Sequence, residues 1–235
     1  MPGASTLTEF KQAAAESAVA QVMDGMIVGL GTGSTAALAV SALGKRVQQG
    51  LRVIGIPTSE ATAEQARGLG IPLSTLSEHA EIDLTIDGAD EVELGTLNLI
   101  KGHGGALLRE KIVASASARL IIIVDETKLV ERLGVHCAVP AEVVPFGWPA
   151  TAKKLAQFGA NPSLRRPAGG EPFITDGGHY ILDCAFRAIP SPEDLDRRFD
   201  SVVGLVEHGL FIGMTSQVIV GGILGVKTLQ AVGRD

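Results

Sequence analysis

The sequence predicts an α/β fold: a doubly wound, mostly parallel sheet, with a smaller α+β domain inserted before the chain returns to the sheet near its C-terminus. Three observations lead there. Apolar runs of strand length alternate with stretches of helical period up to about residue 133, the pattern of parallel strands joined by right-handed crossovers. Loops rich in Gly, Asp and Ser follow several of those runs, at the strand ends where open α/β sheets bind ligands. Beyond about residue 133 the segments shorten and the alternation is lost, until an apolar run at 217–220 offers a return strand. The expected division is 1–132 plus 206–235 for the main domain and 133–205 for the small one.

Thr6-Leu7-Thr8-Glu9 has the form of a capping box, and Leu7, Phe10, Ala14, Ala18 and Val22 recur behind it at helical spacing. Gly25 offers a helix stop. Residues 26–30 read as a buried strand that runs straight into Gly31-Thr32-Gly33-Ser34-Thr35, followed by a helical stretch at 36–43. Further strands are expected at 52–57, 71–73 and 83–86, with a helix at 59–69 closed by Gly70. After a glycine-rich loop at 101–105, residues 106–117 read as a helix and 119–124 as a continuous buried strand. In the small domain, strands are expected at 139–144, 164–166, 173–175 and 180–185, and a helix at 149–158. A last helix opens with Ser191 as N-cap and Pro192 at its first position. Asp176-Gly177-Gly178-His179 is a hairpin turn signal.

Composition excludes several classes of function. An apolar share of 46% in 235 residues supports a substantial core and rules out a disordered chain. A formal net charge of −6 argues against a nucleic-acid partner, which needs clustered Lys and Arg, yet leaves room for one basic pocket. Cys137 and Cys184 form no C-x-x-C and have no His at zinc spacing, so they read as reduced thiols in a cytoplasmic protein without a metal. The N-terminus lacks the basic start and apolar run of a signal peptide, and no apolar run is long enough to span a bilayer, so no membrane partner is expected.

Four clusters fall at or just after predicted strand ends. Gly31-Thr32-Gly33-Ser34-Thr35 reads either as a phosphate cradle at a helix start or as a bare tight turn. It is neither a dinucleotide fingerprint, since Ser34 replaces the third glycine, nor a Walker loop. Asp87-Gly88-Ala89-Asp90-Glu91 suits a polyol, a metal or proton transfer, or is an Asx turn with a helix cap. Lys101-Gly102-His103-Gly104-Gly105 combines a cation with free backbone N–H groups that can neutralise an oxyanion, or is a surface turn. Glu110 stands in the first turns of the helix leaving that loop, as a buried proton carrier or an ordinary exposed Glu. Lys128, after the strand at 119–124, either reaches the same region or is solvated.

Taken in order, these segments resemble ribose-5-phosphate isomerase, type A. The match is carried by residues 31–35, 87–91 and 101–104, by Arg109-Glu110-Lys111, and by Asp125 through Lys128. Pro140-Ala141-Glu142-Val143-Val144-Pro145 and Thr175-Asp176-Gly177-Gly178 are similar too, so the resemblance covers nearly the whole chain. It implies a Rossmann-like main domain, a homodimer or dimer of dimers, no cofactor, and a sugar phosphate as the small-molecule partner. It makes Glu110 the acid–base catalyst. It lines the substrate site with Thr32, Gly33, Ser34 and Thr35, with Asp87, Gly88, Ala89 and Asp90, with Lys101, Gly102, His103 and Gly104, and with Lys128. Lys11, on the first helix, would help hold the phosphate.

The chemistry so implied is the interconversion of ribose 5-phosphate and ribulose 5-phosphate through an enediolate. Lys101 would stabilise the enediolate, Asp87 and Asp90 would orient hydroxyls, Asp87 would assist ring opening, and Ser34 and Thr35 would fix the phosphate. Two departures from the family pattern stand out: His103 where Gly is common, and Leu108 where Thr is often found. The rival readings are a sugar-phosphate-sensing domain of a transcription regulator, and another isomerase, a deaminase or a CoA transferase of the same superfamily. No basic helix-turn-helix precedes Met26 to serve a regulator.

Overall fold

Every residue of Leu120-Ile121-Ile122-Ile123-Val124 is apolar and buried, so this segment can only be the middle of a sheet covered on both faces. In the computed structural model, which describes residues 3–167 and 170–230, it becomes the third strand of six. The elements, in chain order, are α1 (Ala4–Val19), β1 (Ile27–Leu30), α2 (Ser34–Gln48), β2 (Ile54–Pro57), α3 (Glu60–Gly68), β3 (Leu84–Gly88), β4 (Glu91–Glu93) and β5 (Leu99–Ile100). Then come α4 (Leu107–Ser115), β6 (Leu120–Asp125), a 3-10 turn (Glu126–Lys128), β7 (Leu129–Val130), β8 (Val139–Val143) and α5 (Trp148–Ala156). The chain closes with β9 (Asn161–Leu164), β10 (Tyr180–Ala185), α6 (Pro192–Asp200), β11 (Leu205–His208), β12 (Leu210–Phe211), β13 (Gln217–Gly222) and β14 (Gly225–Gln230).

The chain divides into two units: 1–89 with 109–128 and 214–235, and 90–108 with 129–213. Residues 90–108, expected in the main domain, group with the second unit. Residues 1, 2 and 231–235 of that expected domain lie outside the described residues.

In the first unit the sheet order is β14-β13-β6-β3-β1-β2, parallel except for β14, which turns back antiparallel on β13. Residues two apart on a strand share a face. Val28 and Leu30, Leu84 and Ile86, and Ile121 and Ile123 thus join one core with Ala14 and Ala18 of α1, Ala39 and Leu43 of α2, and Ala66 of α3. The other face meets α4, where Val113 packs with Ile27, Ile56 and Ile82. Helices on both faces of a mostly parallel sheet make the doubly wound arrangement that the sequence predicts. The return strand at 217–220 is β13, while the edge strand β14 was not foreseen, because its residues are exposed and carry no apolar run.

The second unit holds two four-stranded sheets, β11-β8-β10-β9 and β12-β5-β4-β7. The first packs α5 and α6 around Val139, Ala141, Leu155, Leu182 and Phe199. The second is built from strands of two or three residues, too short to show a period in the sequence.

Several expected details are corrected. Helix α1 begins at Ala4 with Gly3 as N-cap and no side-chain cap, so Thr6 lies inside the helix. The expected strand at 71–73 reduces to one parallel bridge, Gly55 to Leu73. Residues 173–175 form no strand; Thr175 instead donates its hydroxyl to the buried Glu142 carboxylate at 2.8 Å, ahead of the turn closed at His179. Ser191 caps α6 by position without a side-chain bond. No helix among the described residues is long and apolar enough to cross a membrane.

Candidate active site

In the first unit the site forms where β1 and β3, hydrogen-bonded neighbours, release the chain side by side. β1 leads into Gly31, and β3 ends on Asp87 and Gly88. A side chain at Gly31 would run into the Asp87 carboxylate and its Cα, so only glycine lets the two loops lie this close. The Asp87 carboxylate, 1% exposed, accepts from Gly88 N–H at 2.7 Å and Thr32 N–H at 3.2 Å. Its orientation is therefore fixed by backbone from both loops.

The Thr32 hydroxyl is fixed as well. It donates to the Ser59 hydroxyl at 2.8 Å, Ser59 donates to Thr62 at 3.0 Å, and Thr62 donates to the Gly31 carbonyl at 3.0 Å. Thr58 stands 2.7 Å from the Thr32 oxygen and donates to the Leu30 carbonyl at 3.0 Å. These four hydroxyls tie the start of α3 to the loop after β1, and satisfied buried hydroxyls of this kind stiffen a loop.

Gly33 has φ of 106°, a conformation glycine adopts without strain, and no side chain caps α2. The first N–H groups of α2 thus face outward beside the exposed Ser34 and half-buried Thr35, an arrangement suited to an anion. Lys11 of α1 brings its ammonium to 3.4 Å from the Ser34 hydroxyl and 3.9 Å from the buried Asp125 carboxylate. Lys128 lies in the 3-10 turn after β6 and is half-buried. Glu110 is in the first turn of α4 and only 3% exposed, so it is not an ordinary surface Glu. Its neighbour Arg109 pairs with Glu60 at 2.8 Å. A groove of about 600 Å3 between α3 and α4 is mainly apolar and takes in none of the predicted site residues.

The second unit carries the other predicted residues. Lys101 follows β5, is 2% exposed, and holds its ammonium 5.4 Å from the centre of the Phe211 ring. Its N–H is fixed by the Gly209 carbonyl at 2.9 Å. Gly102 has φ of 104° and turns the chain, leaving His103 and Gly104 exposed. The His103 N–H donates to the Asp90 carboxylate at 3.1 Å, and its Nε2 lies 3.1 Å from the Ala138 carbonyl. The third carboxylate of the acidic run has a separate task. Glu91 is buried and accepts from the N–H groups of Gly134, His136 and Cys137 at 2.6, 2.6 and 2.8 Å.

The structure thus brings Thr32 together with Asp87, Lys11 with Ser34, and Asp90 with His103. Sequence reasoning missed the hydroxyls of Thr58, Ser59 and Thr62; their place just after β2, another strand end, was the available signal. It also missed Arg165, whose Nη1 donates to the carbonyls of Gly102 and His103, each at 3.0 Å. Nothing in the sequence around Arg165 points to that role. Among the described residues one cluster, Asp200, Glu207 and His208, has metal-ligating types. His208 accepts from Leu210 N–H at Nδ1 (3.3 Å), which leaves Nε2 to donate to Asp200 (3.1 Å), so neither nitrogen offers a lone pair to a cation.

Comparison with known proteins bears on this arrangement. Residues 54–225 match the family described as Ribose 5-phosphate isomerase A (phosphoriboisomerase A). A protein of Gloeobacter violaceus named Ribose-5-phosphate isomerase A is 63% identical over 93% of this chain and 95% of its own length. One of Gluconobacter oxydans with the same name is 52% identical over 92% and 94%. A solved D-ribose-5-phosphate isomerase in complex with phospho-erythronic acid has a TM-score of 0.92 at 39% identity, covering 95% of this chain and 99% of that one. The isomerase from Plasmodium falciparum gives 0.91 at 42%, covering 96% and 99%.

Proposed function

Because the chain belongs to the ribose 5-phosphate isomerase A family, we propose that its buried Glu110 carries a proton between C1 and C2 of the substrate. The enzyme interconverts D-ribose 5-phosphate and D-ribulose 5-phosphate. The sensor-domain, deaminase and CoA-transferase readings are not favoured by these likenesses.

Glu110 takes the proton from C2 of the open-chain aldose, and the C–H electron pair becomes the C1–C2 double bond while the aldehyde oxygen gains charge. A proton moves from the C2 hydroxyl to that oxygen, the C2 carbonyl forms, and Glu110 returns its proton to C1. Lys101 and the N–H groups of Gly102, His103 and Gly104 stabilise the charge on the enediolate oxygens. Asp87, with Gly88 and Ala89 beside it, and Asp90 orient hydroxyls, and Asp87 assists ring opening. The phosphate lies at the start of α2 on Gly33, Ser34 and Thr35, with Lys11 and Lys128 as counter-charges, and Thr32 holds Asp87 in place. The observation that carries this reading is the burial of the Glu110 carboxylate in the first turn of a helix, away from the solvent where a surface Glu belongs.

Finer readings rest on the same membership. We propose that the enzyme serves the non-oxidative pentose phosphate pathway in the cytoplasm and acts as a homodimer or dimer of dimers. We propose also that its residues suffice for catalysis without a cofactor.

Glu110→Gln tests the central assignment, assayed for exchange of the C2 proton with solvent and for ketose formation. Loss of about 100-fold or more in both is expected, the usual range for a general base. Turnover near that of the unaltered enzyme, in a folded variant, would falsify the assignment.

A further inference from the structure

We propose that Arg165, gripped by Asp183, is a positioning residue that sets the direction of the N–H groups in the loop after Lys101. The proposal rests on the reading above, in which that loop faces the enediolate.

The guanidinium of Arg165 has its two edges occupied by different partners. Nε and Nη2 meet the Asp183 carboxylate of β10, with Nε at 2.9 Å. Nη1 donates to two successive carbonyls, Gly102 and His103. The cation also lies 6.0 Å from the centre of the Phe173 ring, the same ring that a Cβ at Gly105 would strike. One side chain thus links β10, the aromatic at the end of the loop and the loop backbone.

The consequence follows from peptide geometry. In a trans peptide the carbonyl of one residue and the N–H of the next point in opposite directions. Arg165 holding the Gly102 carbonyl sends the His103 N–H the other way, where Asp90 accepts it at 3.1 Å. By the same rule, the grip on the His103 carbonyl sends the Gly104 N–H away from the guanidinium. The loop helps fix its own first peptide, since Gly105 N–H donates to the Gly102 carbonyl at 3.0 Å; the next peptide, between His103 and Gly104, is held by Arg165 through the His103 carbonyl. Without Arg165 the peptide between His103 and Gly104 could turn over and present a carbonyl oxygen, which would repel an enediolate.

A lysine cannot replace this grip. The guanidinium offers a planar fork of five donors, enough for a bidentate carboxylate and two carbonyls together, whereas an ammonium is a point charge.

The test compares Arg165→Met, Arg165→Lys and Asp183→Asn with Lys101→Ala in steady-state assays on ribose 5-phosphate, with inhibition by phospho-erythronic acid as a second readout. In Arg165→Met and Arg165→Lys, kcat should fall about 10- to 100-fold with KM within about threefold, since a misplaced group costs in the transition state. The inhibition constant for phospho-erythronic acid, whose carboxylate spreads charge over two oxygens, should rise. In a further variant, Arg165→Ala, which leaves room for the free cation, millimolar guanidinium should partly restore kcat. Should Arg165→Met fail to fold, Arg165→Lys and Asp183→Asn carry the test. If Lys101→Ala loses kcat while Arg165→Met and Arg165→Lys keep it, or if their loss is all in KM, the positioning role is overturned and the site reading stands. If Lys101→Ala itself keeps kcat, the underlying reading fails instead.

Discussion

The ammonium of Lys11 stands 3.4 Å from the hydroxyl of Ser34, the first residue of α2, although 23 positions separate them in the chain. A helix start already favours an anion, and a lysine beside it adds a full charge. Lys11→Met should therefore raise KM for ribose 5-phosphate about tenfold, equal to ~1.4 kcal/mol, with little change in kcat. The effect should shrink as salt is raised from low to physiological strength, because Lys11 is partly exposed. A fall in kcat at constant KM would reject this placement of the phosphate.

The three carboxylates of the acidic run should separate cleanly. Glu91 accepts three backbone N–H groups from 134–137, so its task is to hold that loop. Glu91→Ala takes the acceptor from all three, including the buried Gly134 N–H, and should cost about 2 kcal/mol in urea unfolding. Asp87→Asn should instead lower kcat while shifting the unfolding midpoint little. Equal effects of both changes on kcat would contradict the division.

Thr32→Val tests the hydroxyl network. It preserves the shape but removes the oxygen that Thr58, Ser59 and Thr62 surround. The expected cost is about 1–3 kcal/mol of stability, read from chemical denaturation. Because Thr32 also directs its N–H to Asp87, a smaller loss of kcat should accompany it.

Burial pushes the Cys184 thiol up to about 12, with the charge of Asp183 adding to the shift. A folded pKa above the unfolded value means that the native state keeps its proton longer. The contribution is thus fully present below pH ~9 and is lost as pH rises from there toward 12, with a slope of at most about 1.4 kcal/mol per pH unit. Urea unfolding from pH 8 to 10.5 should show a shallower alkaline decline for Cys184→Ala than for the unaltered chain, whatever the difference in absolute stability. Parallel curves would mean that the thiol does not titrate with folding.

How much of this was legible in the sequence depends on how the information is stored. The parallel core was readable because Leu120 through Val124 allow only one environment, and the strand-end loops followed from it. Strands β4, β5, β7 and β12 were not, since two or three residues carry no period and their pairing is set by tertiary contact. The acidic run was visible, but not that Glu91 serves a loop more than 40 residues away. Thr6 has the local form of a cap, yet α1 starts earlier, at Ala4, with Gly3 as its N-cap. Arg165 was invisible for the same reason in reverse: its partners are backbone carbonyls 63 and 62 positions away, which leave no mark on composition.

The packing of the first helix also bears on synthesis. Lys11 rides on α1, and α1 lies against β13, so closely that a Cβ at Gly221 would meet the Phe10 carbonyl. β13 is also the strand that joins β14 to β6. During synthesis Lys11, proposed above to meet the phosphate, therefore emerges about 200 residues before the strand β13 that α1 packs on. A nascent chain halted after Ser216 would contain every residue assigned to catalysis, with α2 and β6 to receive α1, and still lack the β13 part of its seat. Catalytic competence in this enzyme is expected to arrive all at once, when β13 is in place, and not to grow with the length of chain made.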